Sequence, residues 1–254
     1  MCEHTTPMDP TESGPRSRQT DANERVIAGY PRGRGGAEAA GAAAARSARE
    51  PMGVAVDLAI FTVQEQRLEL LLIRMKREPF TGKWALPGGR IRGNETVEAA
   101  AERELREKTG LKGVYLEQLY TFSEPFRDPD ARCISVGHMA LIRGDVQLST
   151  TDKYSGIGWF PMAKLPPLAF DHEQIAKYAM KRLRAKLEYT DVARNLLEKT
   201  FTLGELQRLY ETILGTKLDA RNFQRRAQAI GLVKDTGRVR RGQAYRPARL
   251  FRFA

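Results

Sequence analysis

Two apolar segments that begin near residue 54 predict the first strands of the fold. Val54–Val63 (VAVDLAIFTV) and Leu68–Ile73 (LELLLI) are separated by a short polar turn, a pattern typical of a buried β-hairpin. A Gly/Pro-rich loop, FTGKWALPGG, then leads into a charged helix, and further strands are expected at Tyr115–Phe122 and Ile134–Ile142. Strands mixed with a helix indicate an α/β or α+β sandwich.

A long amphipathic helix is predicted after the sandwich. Asp171 and Gln174 have the spacing of a capping box at its start. Apolar residues then recur at the helical period, at Ile175, Ala179, Leu183 and Leu187. A shorter helix over Asp191–Lys199 is expected to follow and to complete a connection between two domains. The apolar faces of these helices either form a dimer surface or pack on the first domain.

The segment after residue 200 predicts two helices joined by a tight turn. Thr202 and Glu205 form a capping box for the first helix, and Phe201 and Leu206 are placed for a hydrophobic staple. The apolar face of this helix comprises Leu206, Leu209, Tyr210 and Ile213. Asp219 is expected to cap the second helix, and Gly231 to end it. Three of its residues are expected to face inward: Phe223, Ala227 and Ile230.

A basic hairpin is predicted in the last part of the chain, and it ends in the strand-like RLFRF. Two helices followed by a basic hairpin are the layout of a winged helix-turn-helix. The outward face of the second helix carries Arg, Asn and Gln side chains, which can contact base edges and phosphates. The predicted DNA-binding residues are Arg221, Asn222, Gln224, Arg225 and Arg226 on the helix and Arg238, Arg240 and Arg241 at the hairpin tip.

The distribution of charge favours an anionic partner for this end of the chain. The formal net charge is +11, and residues 200–254, with twelve basic and four acidic residues, account for +8 of it. The other 199 residues therefore carry only +3. This asymmetry is typical of a nucleic-acid-binding segment joined to an ordinary globular domain. The alternative is a solvated basic helical hairpin that packs on the sandwich.

Residues 1–51 contain few large apolar side chains, so they cannot bury enough surface to offset the entropy of ordering, and we predict that they are disordered. No apolar run approaches the length needed to cross a bilayer. The two cysteines, Cys2 and Cys133, form neither a disulfide framework nor a metal-ligand pattern. We therefore expect a cytoplasmic protein without a membrane partner.

The charged helix carries the most specific motif of the chain. The residues at the defining positions are Gly89, Glu95, Arg103, Glu104, Leu105, Glu107, Gly110 and Leu111. With this spacing the segment resembles the Nudix box, of which it matches eight of nine defined positions. An ordinary charged surface helix would show so many matches only rarely, given average residue frequencies.

The resemblance implies a loop–helix–loop that holds Mg²⁺ against a diphosphate. Because hard cations prefer carboxylate oxygens, Glu104 and Glu107 are candidate metal ligands or the water-activating base. Arg103 is expected to orient the neighbouring carboxylates, and Gly89 and Gly110 suit tight turns at the helix ends. The candidate ligand-binding residues are Trp84, Gly88, Gly89, Arg90, Glu104 and Lys108.

Lys108 departs from the box, because the family has a further metal-binding glutamate at this position. A change from −1 to +1 within a few ångströms of a divalent cation alters the interaction by several kcal/mol, even at an effective dielectric of about 20. We therefore expect impaired hydrolysis, no required cofactor and weakened Mg²⁺ binding, while the ammonium can still contact phosphate. Alternatively, Lys108 turns to solvent and Glu124 replaces the missing ligand.

Three other side chains leave alternatives open. Trp84, in the loop before the box, either stacks on a base or fills the core, and its size favours the core. His138 and His172 have no Cys or His partner at metal-ligand spacing. A structural role is therefore expected for both histidines.

A Nudix-like domain with an altered box, followed by a winged helix, resembles the NrtR family of Nudix-related transcriptional regulators. The segments EPFTGKWALPGG, LYTFSEPFRDPDAR, LAFDHEQI and RPARLFRF are similar to that family. The resemblance implies a homodimeric bacterial repressor of NAD-related genes that senses ADP-ribose or a related metabolite and binds a palindromic double-stranded operator. The competing hypothesis is an active hydrolase of the ADP-ribose pyrophosphatase type with a basic accessory domain.

These features divide the chain into four parts. A disordered tail (residues 1–51) precedes a Nudix-like effector-binding domain (52–170) with the α/β sandwich fold. A helical linker (171–199) then leads to a small winged helix-turn-helix domain that binds DNA (200–254).

Overall fold

The computed structural model describes residues 52–144, 148, 154–240 and 247–254. The predicted disordered tail, residues 1–51, lies outside these ranges, as does Arg241. No helix within them is long and apolar enough to span a membrane.

The described residues form nine strands and four α-helices. The strands are β1 (Gly53–Gln64), β2 (Arg67–Met75), β3 (Trp84–Ala85), β4 (Gly88–Arg90), β5 (Tyr115–Phe122), β6 (Cys133–Leu141), β7 (Tyr154–Pro161), β8 (Val233–Arg240) and β9 (Ala248–Phe253). The helices are α1 (Val97–Thr109), α2 (His172–Tyr189), α3 (Leu203–Leu214) and α4 (Ala220–Ala229). Met162–Lys164 and Val192–Asn195 form 3₁₀ turns.

Strands β1 to β7 form one mixed sheet, in the order β3-β2-β1-β6-β5, with β4 paired to β1 and β7 paired to β2. The predicted hairpin is confirmed, since β1 and β2 are antiparallel and joined by Glu65 and Gln66. Both turn residues have positive φ, as a type I′ turn requires. Strand β6 runs parallel to β1 along its length, and β5 forms the outer edge.

Strand β1 is apolar on both faces because a helix covers each side of the sheet. Leu58 and Ile60 pack in one cluster with the apolar side of α1. Ala59 and Phe61, which point to the opposite face because side chains alternate along a strand, pack in a second cluster with α2. The α/β sandwich predicted from the sequence is therefore the fold observed.

The apolar stripe of α2 packs within the chain. Its four predicted positions, Ile175, Ala179, Leu183 and Leu187, are all buried in the cluster that contains Phe61. The stripe is therefore buried inside the chain, in a cluster that contains residues of the sheet and also of the C-terminal region, and does not form a dimer surface.

The local structure differs from the predictions at four places between residues 52 and 199. The Gly/Pro loop contains the short strands β3 and β4, which pair with β2 and β1, and strand β7 was not predicted. The helix expected over Asp191–Lys199 is only a 3₁₀ turn, Val192–Asn195. The Asp171 carboxylate makes no capping hydrogen bond to α2, because it is held by Arg127 instead.

The C-terminal region has the predicted winged-helix arrangement. Thr202 and Glu205 form the capping box of α3, and Asp219 caps α4 by accepting a hydrogen bond from the backbone N–H of Asn222. Strands β8 and β9 then form an antiparallel hairpin. The prediction that Ile230 faces inward was wrong, since its side chain lies after the last turn of α4 and is 62% exposed.

The apolar core of the winged helix is continuous with the core on the α2 side of the sheet. Buried residues of α3 and β9, such as Leu209 and Phe251, belong to the same cluster as Leu183 of α2. The Arg184 Nε donates to the carbonyl of Ile213 at 2.9 Å, which ties α2 to the end of α3. The two parts are therefore packed directly against one another.

Candidate effector cavity and nucleic-acid interface

Helix α1 presents the box residues with defined ends. The Thr96 hydroxyl accepts a hydrogen bond from the N–H of Ala99 and so caps the first turn. Gly110 ends the helix with φ 70°, a left-handed conformation that glycine adopts at no steric cost. The turn predicted at Gly110 is thus confirmed.

Arg103 lies at the centre of the box cluster, which we define as Glu95, Arg103, Glu104, Glu107 and Lys108. Its Nε and Nη2 donate to the two carboxylate oxygens of Glu95 at 3.0 and 2.7 Å, and its Nη1 donates to Glu104 Oε1 at 2.6 Å. Nη1 is also 3.7 Å from Glu107 Oε1. The hydrogen bonds from Arg103, with one from the N–H of Arg92, lower the pKa of the Glu95 carboxyl to about 2.

Lys108 is buried within the box cluster, with 1% of the residue exposed. Its Nζ lies 3.8 Å from a carboxylate oxygen of Glu104 and 3.8 Å from one of Glu107. It also lies 4.6 Å from the centre of the Tyr154 ring, in a cation–π contact. The alternative in which Lys108 turns to solvent is therefore wrong.

Two adjacent glycines bring the backbone of β4 against the box cluster and β1. A Cβ at Gly89 would lie 2.3 Å from Glu104 Oε1, and a Cβ at Gly88 would lie 2.4 Å from the carbonyl oxygen of Val56. Gly89 therefore allows the strand to lie close to the Glu104 carboxylate. The prediction of a tight turn at Gly89 was wrong, because this residue lies within β4.

A cavity of about 190 Å³ opens beside these glycines. Its wall includes Gly88, Gly89 and Arg90, three of the predicted ligand-binding residues. The sequence did not single out the following wall residues as ligand-binding: Asp57, Arg127, Asp128, Cys133, Tyr154, Phe170 and His172. The volume of the cavity is below the roughly 300 Å³ of a typical ligand pocket. Only part of a nucleotide-sized ligand would therefore fit inside it.

The other predicted ligand-binding residues do not line the cavity. Glu104 lies against Gly89 and Lys108 contacts the Tyr154 ring, so each is next to a wall residue but is not itself part of the wall. Trp84 packs edge-on against Phe160 with ring centroids 4.5 Å apart, next to the main core. The core role of Trp84 is the one that the structure supports.

A buried network of charged side chains forms one wall of the cavity. Arg127 Nη2 donates to Asp57 Oδ2 at 3.0 Å, and its Nη2 and Nε donate to the two carboxylate oxygens of Asp171 at 2.6 and 3.0 Å. Ser135 also donates to Asp57, at 2.6 Å. Although burial raises the pKa of the Asp57 carboxyl, the interactions with His172, Arg127 and Ser135 hold it well below its usual range.

His172 completes this network in one tautomer. Its Nδ1 accepts a hydrogen bond from the N–H of Leu86 at 2.9 Å, so this nitrogen carries no proton. Nε2 lies 3.3 Å from Asp57 Oδ1 and is the nitrogen that donates. His172 is therefore structural, as expected, but it also belongs to the cavity wall.

The exposed face of α4 carries the side chains predicted to contact DNA. Arg221, Asn222, Arg225 and Arg226 are exposed, and Gln224 is half-buried. Arg225 Nη2 donates to the Asn222 side chain at 3.2 Å, which fixes the two groups side by side. Such a face can place an Arg and an Asn against the base edges of a major groove.

Two of the arginines predicted at the hairpin tip, Arg238 and Arg240, lie on β8. Arg238 is exposed next to Gly237, whose φ of 71° accompanies a shift in the pairing of β8 with β9. Arg240 is half-buried and forms an ion pair with Glu205, the capping residue of α3. Of the two predicted tip arginines that the structure describes, Arg238 therefore has the more accessible positive charge.

Comparison with known proteins agrees with both halves of this architecture. Residues 51–183 match the family model of the NUDIX domain, and residues 193–253 match that of the NrtR DNA-binding winged helix domain. The ADPR responsive transcriptional repressor NtrR of Acinetobacter baylyi is 37% identical over 203 residues, which are 78% of this chain and 81% of that protein. The chain belongs to the NrtR family.

A solved NrtR structure has the same fold over most of its length. The NrtR of Shewanella oneidensis in complex with a 27mer DNA is 35% identical to this chain and superposes with a TM-score of 0.70. The match covers 79% of this chain and 93% of that one. An ADP-ribose pyrophosphatase of Methanocaldococcus jannaschii is also similar, 39% identical over 49% of this chain and 73% of that protein.

In this NrtR-family chain the box residues do not fit the Mg²⁺ that the Nudix family implies. Glu104 and Glu107, the predicted metal ligands, already face Arg103 and the buried ammonium of Lys108. A divalent cation between these carboxylates would lie within a few ångströms of that ammonium, and the repulsion costs several kcal/mol at an effective dielectric of about 20.

Proposed function

We propose that this chain is a DNA-binding transcriptional repressor that senses ADP-ribose or a related nucleotide through its Nudix domain. The observation that carries the proposal is the direct packing of a winged helix with an exposed basic face onto α2, which begins at the wall of the Nudix cavity. The Acinetobacter relative is described as an ADPR responsive repressor, which supports the same effector here.

The Nudix domain acts as a sensor because its box is altered at one position. Where the Nudix box has a glutamate, this chain has the buried ammonium of Lys108. The binding of the metal that would support attack of water on a diphosphate is therefore disfavoured. Hydrolysis is impaired for this reason. Arg90 lies at the cavity with a 61% exposed side chain, where it can meet a ligand phosphate.

Operator binding uses α4 as the recognition helix and the β8–β9 hairpin as the wing. The protein binds as a homodimer to a palindromic operator, so two copies of α4 meet half-sites roughly 34–36 Å apart on one face of the duplex. The target genes are those of NAD biosynthesis or salvage. The protein acts in the cytoplasm, where bacterial DNA is located.

A fluorescence anisotropy titration tests the proposal. Labelled promoter DNA from NAD-biosynthesis genes is titrated with the full chain, with and without ADP-ribose at a fixed salt concentration. We expect specific binding that ADP-ribose weakens by about 5- to 150-fold, the usual range of allosteric coupling. Specific binding that ADP-ribose leaves unchanged would contradict the proposed effector, and the absence of specific binding to these promoters would contradict the proposed targets.

The second candidate function is an active ADP-ribose hydrolase with a basic accessory domain. It is favoured by the similarity to the Methanocaldococcus pyrophosphatase over the Nudix part of the chain. A turnover assay with ADP-ribose and Mg²⁺ distinguishes the two functions. Turnover of about 1 per second or faster, an ordinary enzymatic rate, would support the hydrolase. It would overturn the proposal that the Nudix domain is a sensor that does not catalyse hydrolysis.

A further inference from the structure

Asp171 occupies the N-cap position of α2 but does not act as a cap. Its carboxylate accepts hydrogen bonds from Arg127, and no capping bond to the helix is formed. Its dihedral angles, φ −94° and ψ 19°, also differ from the extended conformation that a capping residue usually adopts. The sequence, with Gln174 three residues later, nevertheless has the pattern of a capping box. Asp171 therefore has two possible sets of partners.

The residue before Asp171 is conformationally strained and touches the cavity. Phe170 has φ 55°, a left-handed value that costs energy in a residue with a bulky side chain. Its ring lines the cavity and lies 4.2 Å from the ring of Phe80 between centroids. A change of backbone conformation at Phe170 and Asp171 would thus be coupled directly to the contents of the cavity.

Arg127 is the group through which a ligand could reach Asp171. A guanidinium has five N–H donors, and the hydrogen bonds to Asp57 and Asp171 use only Nε and Nη2. The side chain is 4% exposed, yet it forms part of the cavity wall. A ligand oxyanion in the cavity would find there a guanidinium held in a fixed orientation by two carboxylates.

We propose that Arg127 binds an oxyanion of the effector and that Asp171 then leaves Arg127 to cap α2. The network already has two carboxylates for one guanidinium, so an added anion must weaken one of the existing pairs. The proposal rests on the function proposed above, and it assigns to that function the residues that detect the ligand and start the response.

Asp171, and not Asp57, is the carboxylate that is released. Asp57 is held by Ser135 and His172 as well as by Arg127, within a central strand. Among the described residues, the Asp171 carboxylate accepts hydrogen bonds from Arg127 alone. The Asp171 carboxylate also has alternative hydrogen-bond donors close by, because the first N–H groups of α2 lack helical partners and favour a carboxylate.

The released Asp171 changes the position of α2, and α2 carries the change to the winged helix. Leu183 and Leu187 pack in the same cluster as α3, and Arg184 Nε donates to the carbonyl of Ile213. A rotation at the first residue of a helix moves its far end, since the helix itself is stiff. The first turn of α2 is therefore the element that has two arrangements, and the effector selects between them.

The variant Asp171→Asn tests this switch in the full chain. Asparagine caps helices well but lacks the charge that holds Arg127, so the variant should adopt the released arrangement without ligand. We expect its operator affinity without ADP-ribose to fall to that of the wild-type chain with saturating ADP-ribose. The ratio of operator Kd values with and without ADP-ribose should fall below about twofold, against the 5- to 150-fold typical of coupled sites.

Glu173→Gln is the matched control, because it removes one negative charge from the same helical turn. Glu173 is exposed and forms an ion pair with Lys177, so this variant should keep the wild-type ratio. If Asp171→Asn also keeps the wild-type ratio, the switch is wrong although the proposed function stands. A wild-type chain that binds the operator without any response to ADP-ribose would overturn the proposed function first.

Arg127→Lys provides a second measurement that does not depend on the stability of the Asp171 variant. Lysine keeps the charge but cannot form the bidentate contacts of a guanidinium. We expect the affinity for ADP-ribose, measured by calorimetry, to fall by about tenfold or more, as the loss of a charge-assisted hydrogen bond predicts. An unchanged ADP-ribose affinity would overturn the assignment of Arg127.

Discussion

Lys108, together with Arg92 beside the box cluster, balances the negative charges of this cluster without a metal ion. The carboxylates of Glu95, Glu104 and Glu107 are matched by Arg103, by Lys108 and by Arg92, whose guanidinium lies 3.6 Å from Glu107. A glutamate at position 108 would change this balance by two units and leave a net charge of −2, which suits a divalent cation. A buried ion pair is costly to break because one charge then remains unpaired in a low-dielectric environment. The same residue therefore stabilises the cluster and disfavours the metal.

The substitution Lys108→Glu should strengthen the binding of Mn²⁺ or Mg²⁺. The added carboxylate gives the metal a further oxygen ligand and removes the ammonium that repels it. We expect Mn²⁺ to bind at least about tenfold more tightly by calorimetry, equivalent to about 1.4 kcal/mol. Lys112→Glu, which makes the same change of charge at an exposed position three residues beyond α1, should leave Mn²⁺ binding unchanged. Equal Mn²⁺ affinities in the wild-type chain and the Lys108 variant would contradict this account of the box.

Glu95 should make the stability of the chain depend on pH in the acidic range. Its folded-state pKa of about 2 lies below the ordinary value of 4.5, so its stabilising contribution is present above pH 4.5 and is lost as the pH falls through about 2. Glu95→Gln should therefore lower the free energy of unfolding at pH 7, and its difference from the wild-type chain should shrink between pH 4.5 and 2. Urea unfolding at a series of pH values measures this, and a difference that is the same at every pH would argue against the assignment.

At the scale of single elements, the capping patterns predicted structure where the deciding contacts were local. The capping box of α3 was predicted correctly because Thr202 and Glu205 satisfy one another within one turn. The same pattern failed at Asp171 because its partner, Arg127, lies 44 residues away in the chain. Strands β1, β2, β5 and β6 were predicted from their apolar patterns, whereas β7 was not predicted. Strands β3 and β4, of two and three residues, are too short to show such a pattern.

The cavity was only partly predictable for a related reason. Gly88, Gly89 and Arg90 adjoin the box in the sequence, so the motif pointed to them. Arg127 and His172 reach the cavity through the tertiary fold, from the loop after β5 and from the start of α2. One signal was available, since Asp57 is an acidic residue in the otherwise apolar segment VAVDLAIF. A buried acid in a central strand needs partners, and here those partners form the cavity wall.

The exposed face of α4 should determine operator specificity. Arg225→Ala removes a guanidinium that the Asn222 side chain holds in position. We expect operator affinity to fall by about 1–3 kcal/mol, the usual value of a bidentate base contact, with a smaller change in affinity for unrelated DNA. Competition anisotropy with operator and scrambled duplexes measures both affinities. An equal loss for the two duplexes would assign Arg225 to the phosphate backbone.

The hairpin should contribute to DNA binding through phosphate contacts. Arg238→Ala should weaken binding to operator and unrelated DNA alike, and should reduce the slope of log K against log[salt] by about one unit. Arg143→Ala is the control. It removes an arginine of the Nudix domain that forms an ion pair with Glu198, and it should leave the slope unchanged. An unaltered slope in the Arg238 variant would remove this residue from the interface.

At the scale of the whole molecule, the central feature is the continuous core between the Nudix sandwich and the winged helix. Phe61 of the sheet, Leu183 of α2 and Phe251 of the wing all belong to one apolar cluster. A packed core transmits displacement because close-packed side chains deform little. In a dimer on a palindromic operator, a small change in the separation of the two recognition helices prevents both from docking together and removes the gain from paired binding.

Coupling between the cavity and the DNA must act in both directions, because linkage requires each ligand to change the affinity of the other by the same factor. The most direct test is calorimetry of ADP-ribose binding to the full chain, with and without saturating operator DNA, at one salt concentration. We predict that operator DNA weakens ADP-ribose binding by the same factor by which ADP-ribose weakens operator binding. Equal ADP-ribose affinities in the presence and absence of operator would contradict the account.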